Sequence, residues 1–360
     1  MNVASAYAPG RVELLGNHTD YNGGVVLAAA IDRGLTVAGS ARDDDRIVLT
    51  SESLQRRLEV SLRELQPQVE ERWANYGLGV VRELIDAGFP VRGFEAAVRG
   101  ELPPGAGLSS SAAFEVATAL FLLKLHGWTL DPLALAQLCQ RAENEFVGVR
   151  SGLLDQATSV FGKADHVVYL DCRSLEVRTI PFPPGLALLI ADPGKKHALV
   201  HGEYNARRRE CFAAAEALGV PGLRDVSAVE FGKVGDRLEP LLRRRAAHII
   251  GENDRVWRAA DALAAGDAAT FGSLMNASHE SSRTNFENST PELDRLVGIA
   301  RTLPGALGSR LTGGGFGGAT VTLAHAADAA SIATELQAQF ARATGETAKV
   351  FVCEIADGAA

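Results

Sequence analysis

The sequence has few cysteines, and their spacing excludes the common classes of stapled protein. The chain of 360 residues holds four cysteines that are far apart and form no C-x-x-C pair: Cys139, Cys172, Cys211 and Cys353. Neither a disulfide framework nor a zinc site is therefore expected. Free, scattered cysteines are typical of a reducing compartment, so the sequence predicts a cytoplasmic protein.

Long apolar runs and an excess of positive charge are also missing. The run VVLAAAI at 25–31 is far shorter than the roughly 18–20 residues that a membrane-spanning helix requires. The N-terminus shows no basic segment followed by an apolar one, so no signal peptide is expected. The net charge is −8 and no dense basic stripe occurs, which argues against a nucleic-acid partner.

What the chain does contain is an ordinary globular composition, with 46% hydrophobic and 22% charged residues. Its length suggests about two domains, each able to bury a core. In the first half, the residue pattern predicts strands over the first forty residues, near 46–60, in GFEAAVRGE and in DHVVYLDC. It predicts helices at 73–87, from the serine run to Gly127, and at 132–148.

The segment PFPPG at 181–185 is the best candidate for a domain boundary. Beyond it, the sequence predicts strands in LALLIAD, SRLT, ATVTLA and AKVFVCEIA, and helices near 203–218, 255–265, 291–302 and 327–344. We therefore expect two α+β domains, 1–185 and 186–360.

A glycine-rich segment at 103–111 is the first candidate for ligand binding. Gly105 and Gly107 allow the backbone to approach a ligand closely, and Ser109–Ser111 then open a long helix. The free N–H groups and positive dipole end of a helix N-terminus bind phosphate well. Taken alone, however, the serines could simply be helix caps. No G-x-x-x-x-G-K-[ST] sequence occurs, which excludes a Walker-type nucleotide site.

Two further segments, 8–24 and 311–324, combine glycines with polar or strand-like neighbours. The first is dense in polar groups that suit a ligand rich in hydroxyls: Arg11, Asn17, His18, Asp20 and Tyr21. The second contains the letters G-x-G-x-x-G, but a strand-like run follows them instead of the helix of a dinucleotide site. We expect its glycines to let backbone from the second domain approach a ligand in the first.

Together the three segments resemble the three signature motifs of the GHMP kinases, the family of galactose, homoserine, mevalonate and phosphomevalonate kinases. The stretch PGRVELLGNHTDYNGG resembles the signature of the galactokinase branch, whose common form is P-G-R-V-N-L-I-G-E-H-T-D-Y-N-G-G. Further matches follow in family order almost from end to end: WANY (73–76), AENEFVG (142–148), SGLLDQ (151–156), HGEYNARRREC (201–211), AAHIIGEN (246–253) and MNASHESSR (275–283).

The resemblance implies both a fold and an activity. The fold would be the two-domain GHMP kinase fold, with an N-terminal domain like domain 2 of ribosomal protein S5, a ferredoxin-like C-terminal domain and the active site in the cleft between them. The activity would be transfer of a phosphoryl group from ATP to the C1 hydroxyl of galactose. Asp155 would be the general base. Arg11 would be its partner and would stabilise charge on the transferred group.

The same resemblance assigns the nucleotide and metal ligands. Trp73 and Tyr76 match the positions near adenine, while Ser111 and Glu143 match the magnesium ligands. One hydroxyl and one carboxylate are plausible because Mg²⁺ keeps several waters and takes other ligands from phosphates. The residues that would wrap the phosphates are Gly105, Ala106, Gly107, Leu108, Ser109, Ser110 and Ser111. The serines would then both cap the helix and bind the nucleotide.

Sugar recognition would fall to one compact set of residues: Asn17, His18, Thr19, Asp20, Gly152 and Tyr204. The chain departs from the family pattern at two nearby places. Asn17 replaces the glutamate that usually reaches the sugar 6-hydroxyl, and Arg150 adds a cation two residues before Gly152. We hypothesise that these two changes alter the tolerance at C6 of the sugar.

Two alternatives remain open from the sequence. The substrate could be another galactose-like sugar, such as galacturonate or a 6-deoxy sugar, with Asn17 and Arg150 as the discriminating residues. A non-catalytic sensor of sugar and ATP is disfavoured because all of the expected catalytic and metal-binding residues are present. The resemblance also implies a monomer that binds small molecules. Composition, as argued above, predicts neither a membrane nor a nucleic-acid partner.

Overall fold

The protein is described from a computed structural model, and the described residues are 2–102, 107–194 and 200–360. They form two β-sheets with helices packed against them, as the α+β prediction requires. The predicted phosphate-binding residues Gly105 and Ala106 lie outside the described ranges. Within those ranges, no helix combines the length and the hydrophobicity that crossing a membrane demands.

The larger sheet belongs to the first half of the chain. In the described residues its strand order is β4-β3-β5-β2-β6-β7, with β1 paired along β2. Neighbours are antiparallel except for β3 and β5. The strand predicted at 25–31 and the strand-like residues after it form one long strand, β2. The loop between β1 and β2 carries part of the segment 8–24. The strands are Val3–Leu15 (β1), Val25–Ala41 (β2), Arg46–Ser51 (β3), Arg56–Ser61 (β4), Phe94–Gly100 (β5), His166–Asp171 (β6) and Val177–Pro181 (β7).

The smaller sheet belongs to the second half and is antiparallel throughout. In the described residues its order is β11-β8-β10-β9. The chain passes from one sheet to the other within the proposed boundary segment, 181–185; the division into two domains at this point stays a prediction. The strands are Leu186–Asp192 (β8), Ala306–Thr312 (β9), Ala319–His325 (β10) and Lys349–Cys353 (β11).

Helices cover both sheets and agree with most of the predicted positions. α2 runs to His126 and is followed by Gly127 at φ 70°, a left-handed residue that ends the helix as the sequence predicted. α2 packs against β1 and β2, which fixes its N-terminus beside β1. The helices are Asn75–Asp86 (α1), Ser110–His126 (α2), Pro132–Arg141 (α3), Leu154–Phe161 (α4), Val200–Leu218 (α5), Ala228–Val234 (α6), Pro240–Ala264 (α7), Ala268–Ser281 (α8), Pro291–Ala300 (α9) and Ala329–Thr344 (α10).

The prediction was wrong for the region between α5 and α9. The helix expected near 255–265 begins fifteen residues earlier as α7, and α6 and α8 were not predicted. Both long helices bury polar side chains that interrupt the apolar period: Arg245, His248, Glu252 and Asn253 in α7, and Ser278 and His279 in α8. A pattern based on apolar spacing therefore reads them as exposed or irregular.

One apolar cluster runs through both sheets. Leu14 and Leu27 of the larger sheet belong to the same cluster as Ile190 and Val321 of the smaller one. Because protein interiors are close-packed, this shared core holds the two sheets in a defined arrangement. The glycine-rich segments of both halves consequently meet at one place.

Candidate active site

A cavity of about 520 Å³ lies where the glycine-rich segments meet. Every described residue that was predicted to bind sugar, nucleotide or metal lines it except Thr19: Arg11, Asn17, His18, Asp20, Trp73, Tyr76, Gly107, Leu108, Ser109, Ser110, Ser111, Glu143, Gly152, Asp155 and Tyr204. The buried hydroxyl of Thr19 instead lies 2.8 Å from Gly16 O and 2.7 Å from Val25 O. Thr19 thus braces the loop that carries its neighbours.

Asp155 and Arg11 form an ion pair inside the cavity. Asp155 lies in the first turn of α4, and Arg11 projects from β1 with 6% of its side chain exposed. Arg11 Nε donates to Asp155 Oδ1 at 2.8 Å, and Arg11 Nη2 lies 2.6 Å from the same oxygen. Its third nitrogen, Nη1, donates to Gly107 O at 2.7 Å. One guanidinium therefore holds the carboxylate and the start of the predicted phosphate-binding turn together.

Ser109 completes the contacts of Asp155. Its hydroxyl donates to Asp155 Oδ2 at 2.5 Å. The residue occupies the N-cap position of α2, but in a left-handed conformation (φ 56°, ψ 45°) and with no capping hydrogen bond from its side chain. The expectation that the serines cap this helix is wrong for the Ser109 side chain, because its hydroxyl is bound to Asp155. Such a conformation costs a non-glycine residue on the order of 1 kcal/mol or more, and it is often found at functional sites.

Glu143 stands beside the helix N-terminus with its carboxylate partly bound. It lies in a π-helical turn, Ala142–Val147, that continues α3, and such turns are frequent at functional sites. Ser151 Oγ donates to Glu143 Oε2 at 2.5 Å, and Gln156 Nε2 donates to it at 3.1 Å. Burial raises the pKa of Glu143, and the charge of Asp155 adds to this, while the hydrogen bonds oppose it.

These surroundings fit the predicted magnesium ligands. A buried carboxylate whose ionised form is disfavoured gains from a nearby cation, and the hydroxyl of Ser111 also interacts with Glu143. In the described part of the chain, no group of three or more His, Cys, Asp or Glu side chains gathers as a metal site. A cation here would therefore depend on ligands supplied by nucleotide phosphates and water.

His18 and Tyr204 form an aromatic wall of the cavity. Their ring centroids are 4.8 Å apart, and Tyr21 packs edge-on against both rings. His18 Nε2 donates to Gly314 O at 2.8 Å, because a carbonyl can only accept, so Nδ1 accepts from the Tyr21 hydroxyl at 2.7 Å. Burial lowers the pKa of His18 to about 3, so the ring is neutral at physiological pH.

Asp20 lies next to Gly152 and carries a carboxyl group with an unusual pKa. Burial raises the pKa of Asp20 to about 7; the charges of Asp155 and Glu13 add to this, while the Tyr21 N–H and Arg11 oppose it. A Cβ atom at residue 152 would lie only 2.2 Å from Asp20 Oδ2. Glycine is therefore required at 152 by close approach to this carboxylate.

Replacing Gly152 with alanine should displace Asp20 and raise the KM for the predicted sugar substrate about tenfold or more, since misplacement by 1 Å can cost about 10²-fold. The KM for the predicted nucleotide should stay close to that of the unmodified protein. Gly298→Ala is the matched control, because nothing lies within 4 Å of a Cβ at residue 298. Steady-state kinetics with each predicted substrate varied would measure both effects. An unchanged KM for the sugar in folded Gly152→Ala protein would contradict the expected role of Gly152.

Asn17 and Arg150, the two departures from the family pattern, lie in different surroundings. Asn17 is fully buried, and its amide hydrogens go to Glu13 Oε1 at 3.0 Å and Gly313 O at 2.7 Å. Arg150 pairs with Glu145 at 2.6 Å on the surface, with 52% of its side chain exposed. Arg150 is also not among the described residues that line the cavity. A direct effect of Arg150 on sugar choice is therefore not supported by its position.

Backbone from the second half of the chain closes the cavity. Gly107 and Gly313 have φ values of 72° and 75°, and a Cβ on Gly313 would lie 3.0 Å from Gly107 O. The carbonyls of Gly313 and Gly314 accept hydrogen bonds from Asn17 and His18. This agrees with the expectation that the glycine-rich segment 311–324 approaches the first half of the chain closely.

The remaining wall is apolar and lies beside Trp73 and Tyr76. Trp73 stacks with Phe114 at a centroid distance of 6.1 Å, and its Nε1 donates to Glu71 Oε2 at 2.6 Å. Leu35, Val98 and Leu102 are further apolar residues that line the cavity. A flat, weakly polar ligand group, such as a purine ring, matches these surroundings.

Among the polar residues that the sequence analysis missed are Glu13, Ser151 and Gln156. Glu13 is 3% exposed and lines the cavity. Burial raises the pKa of Glu13, although the charges of Arg310 and Arg11 oppose this. Alternation along a strand places residues 11 and 13 on one face, so the position of Arg11 could have revealed Glu13. Ser151 and Gln156 bind Glu143 across the fold, and no local pattern indicates that contact.

Three family models match this chain. The chain matches the GHMP kinases N terminal domain at residues 75–163, the GHMP kinases C terminal domain at 259–342 and the galactokinase galactose-binding signature at 2–41. It is 43% identical over 356 residues to a galactokinase of Roseiflexus sp. (strain RS-1), covering 98% of this chain and 91% of that protein. The chain belongs to the galactokinase family.

Further galactokinase relatives agree. A galactokinase of Chloroflexus aggregans (strain MD-66 / DSM 9485) is 41% identical over 358 residues, covering 98% of this chain and 92% of the relative. The crystal structure of Lactococcus lactis galactokinase complexed with galactose has a TM-score of 0.95 and 34% identity, covering 99% of this chain and 95% of the other. A mevalonate kinase structure with a TM-score of 0.69 and 20% identity shares the fold alone. Galactokinase membership makes this protein a kinase and confirms the predicted GHMP kinase fold.

Proposed function

We propose that the protein transfers the γ-phosphoryl group of ATP to the anomeric hydroxyl of galactose, giving α-galactose 1-phosphate and ADP. The observation that carries this proposal is the Arg11–Asp155–Ser109 cluster, which lies in one cavity with the residues of the galactose-binding signature. The curated relatives and the Lactococcus lactis structure, both galactokinases, support the choice of sugar.

In this mechanism Asp155 takes the proton of the C1 hydroxyl. The hydroxyl oxygen bonds to the γ-phosphorus, the bond from that phosphorus to the β-phosphate oxygen breaks, and ADP leaves. Arg11 and Ser109 orient the Asp155 carboxylate from opposite sides. The positive charge of Arg11 also stabilises the negative charge on the transferred group. Positioning and electrostatics therefore supply most of the rate enhancement.

The nucleotide and its cation would occupy the side of the cavity near α2. The N–H groups at the N-terminus of α2 would bind the phosphates. Ser111 and Glu143 would hold Mg²⁺, which neutralises phosphate charge when bound. Adenine would lie against Trp73 and Tyr76 on the apolar wall.

The sugar would occupy the opposite side, near the aromatic wall. Asp20 accepts hydrogen bonds from sugar hydroxyls, and neutral His18 and Tyr204 shape the pocket around the ring. The absence of a side chain at Gly152 leaves room for the Asp20 carboxylate. Asn17 lines the same region, with its amide held by Glu13 and the third glycine-rich segment.

The proposal is tested by measuring ADP release with Mg²⁺ and ATP against a panel of sugars. The panel contains galactose, glucose, galacturonate, fucose and N-acetylgalactosamine. Turnover of galactose with formation of its 1-phosphate is expected. If galacturonate or a 6-deoxy sugar is turned over faster than galactose, that sugar is the substrate. If galactose binds but no sugar is turned over, the result would favour a non-catalytic sugar sensor.

The pKa of Asp20 predicts a pH dependence of galactose use. Because the carboxyl of the folded protein titrates near pH 7, the accepting carboxylate forms as the pH rises through this value. We therefore expect kcat/KM for galactose to rise through about pH 7 and then to level off. His18 adds no titration there, since its pKa is about 3.

The control for this pH dependence is Asp20→Asn, which should bind galactose weakly with a KM that does not change between pH 6 and 8. The contribution of Asp20 to the free energy of unfolding changes with pH in the opposite direction to kcat/KM for galactose. A carboxyl whose pKa is raised on folding stabilises the fold fully below its unfolded pKa of about 4 and loses that contribution as the pH rises through about 7. A pH profile that persists in Asp20→Asn would assign the titration to another group.

A further inference from the structure

Residues 13 and 17 carry the common pair of the galactokinase signature in exchanged order. The common form has asparagine at the first position and glutamate at the second, whereas this chain has Glu13 and Asn17. The two side chains touch, because Asn17 Nδ2 donates to Glu13 Oε1 at 3.0 Å. One carboxylate and one amide are thus kept, but each has moved to the other residue.

The amide of Asn17 has no free hydrogen-bonding capacity toward a sugar. Its two N–H groups are directed to Glu13 Oε1 and Gly313 O, which fixes the orientation of the amide because Gly313 O only accepts. Its Oδ1 accepts from Asn288 Nδ2 at 2.8 Å and lies 3.4 Å from Ser282 Oγ. Within the described residues, Asn17 is therefore satisfied by the protein alone.

Glu13 is in the opposite situation. Its Oε1 lies 3.0 Å from both Asn17 Nδ2 and Arg310 Nη2. In the described parts of the chain, no hydrogen-bond donor contacts its Oε2. Glu13 is 3% exposed and is one of the residues that line the cavity. A carboxylate with one anchored oxygen and one free oxygen at a cavity surface is suited to accept a hydrogen bond from a ligand hydroxyl.

We propose that Glu13 is a substrate-binding residue that accepts a hydrogen bond from a galactose hydroxyl remote from C1, and that Asn17 and Arg310 position it. This inference rests on the proposed function. Glu13 follows Arg11 by two residues on the same face of β1, so its Cα lies roughly 7 Å along the strand from that of Arg11. Since Arg11 binds the carboxylate that acts at C1, Glu13 reaches the far side of the sugar, at the 4- or 6-hydroxyl.

The contact predicts that a change at either residue alone is harmful. Glutamate at both positions would place two carboxylates in contact, and like charges at this distance repel strongly in a buried site. An amide at both positions would leave Arg310, which is fully buried, without the carboxylate of Glu13. Only the paired exchange conserves both the charge and the contact.

The test is a swap of the two side chains. Glu13→Asn alone should raise the KM for galactose about tenfold or more, in line with loss of a hydrogen bond to a charged group, with a smaller change in kcat. Asn17→Glu alone should be equally or more harmful. The double variant Glu13→Asn/Asn17→Glu should return the KM to within about threefold of the starting value. Galactose, 6-deoxygalactose and 4-deoxygalactose, assayed in parallel, identify the hydroxyl, because Glu13→Asn should lose the preference over one deoxy sugar only.

Two controls separate this role from a purely structural one. Asp171→Asn breaks a half-buried ion pair with Arg224 outside the cavity, so it should lower the melting temperature and leave the galactose KM unchanged. Glu13→Gln is the milder replacement if Glu13→Asn does not fold. A galactose KM within twofold of the original in folded Glu13→Asn or Glu13→Gln would overturn the proposal, as would a double variant that unfolds or remains impaired. No galactose turnover by the unmodified protein would instead refute the proposed function.

Discussion

Replacing Asp155 with asparagine is expected to lower kcat about 10³-fold, within the range of loss known for a general base. The KM values for galactose and ATP should change little, because asparagine has the same shape and can still accept a hydrogen bond from Arg11. The reason for the loss is chemical: a neutral amide cannot take the proton of the C1 hydroxyl. Single-turnover measurement with rapid quenching would isolate the phosphoryl-transfer step from product release.

Ser109→Ala is the matched comparison for Asp155→Asn. It removes the 2.5 Å hydrogen bond to Asp155 Oδ2 and leaves the carboxylate itself in place. A hydrogen bond to a charged group is worth about 1.5–3 kcal/mol, so the rate should fall by about one to two orders of magnitude. If the two variants lose the same rate, Asp155 acts by orientation and not as a base. An Asp155→Asn enzyme within tenfold of the original would remove Asp155 from the proton transfer altogether.

The sequence alone predicted which residues of short, continuous motifs come together. Arg11, Ser109 and Asp155 come from three segments far apart in the chain, and the motif order predicted that they serve one reaction. The structure places them in direct contact. The helix from the serine run to Gly127 was predictable for a local reason, since its apolar run and its C-terminal glycine are both strong signals.

What the sequence could not provide depends on contacts between distant segments. α7 escaped prediction over its first half because its inner face is polar, and those polar groups bind the backbone of Gly16 and Asn17. Glu252 Oε1 accepts from the backbone N–H groups of Gly16 and Asn17 at 3.0 and 3.2 Å, and His248 Nε2 donates to Asn17 O at 3.1 Å. A helix that braces a ligand-binding loop through buried polar groups lacks the apolar period on which helix prediction depends.

The same limitation applies to the two departures from the family pattern. Arg150 and Asn17 looked alike as substitutions in the sequence, yet one side chain faces solvent and the other is buried among protein partners. The residue that complements Asn17 is four positions earlier, at Glu13, and it becomes visible only when their contact is known. A comparison of single positions with a motif therefore identifies where a site has changed. The contact between Asn17 and Glu13 shows which second residue has changed with it.

Replacing Arg11 with lysine is the second large effect that the structure predicts, with kcat/KM for ATP lowered about 10²-fold. Lysine keeps the charge but has a single nitrogen, whereas the guanidinium contacts Asp155 through Nε and Nη2 and Gly107 O through Nη1. Loss of the Gly107 contact should raise the KM for ATP, whereas Asp155→Asn is expected to leave it nearly unchanged. Steady-state kinetics in both substrates would detect this split.

The double variant Arg11→Lys/Asp155→Asn tests whether the pair acts as a unit. Once Asp155 is neutral, Arg11 has no carboxylate to orient, so that part of its effect on kcat is already lost. We therefore expect the double variant to have a kcat close to that of Asp155→Asn, while the KM for ATP remains raised as in Arg11→Lys. Losses in kcat that multiply would mean that the two residues act on separate features of the transition state. In that case the 2.6 Å ion pair would serve the fold and not the reaction.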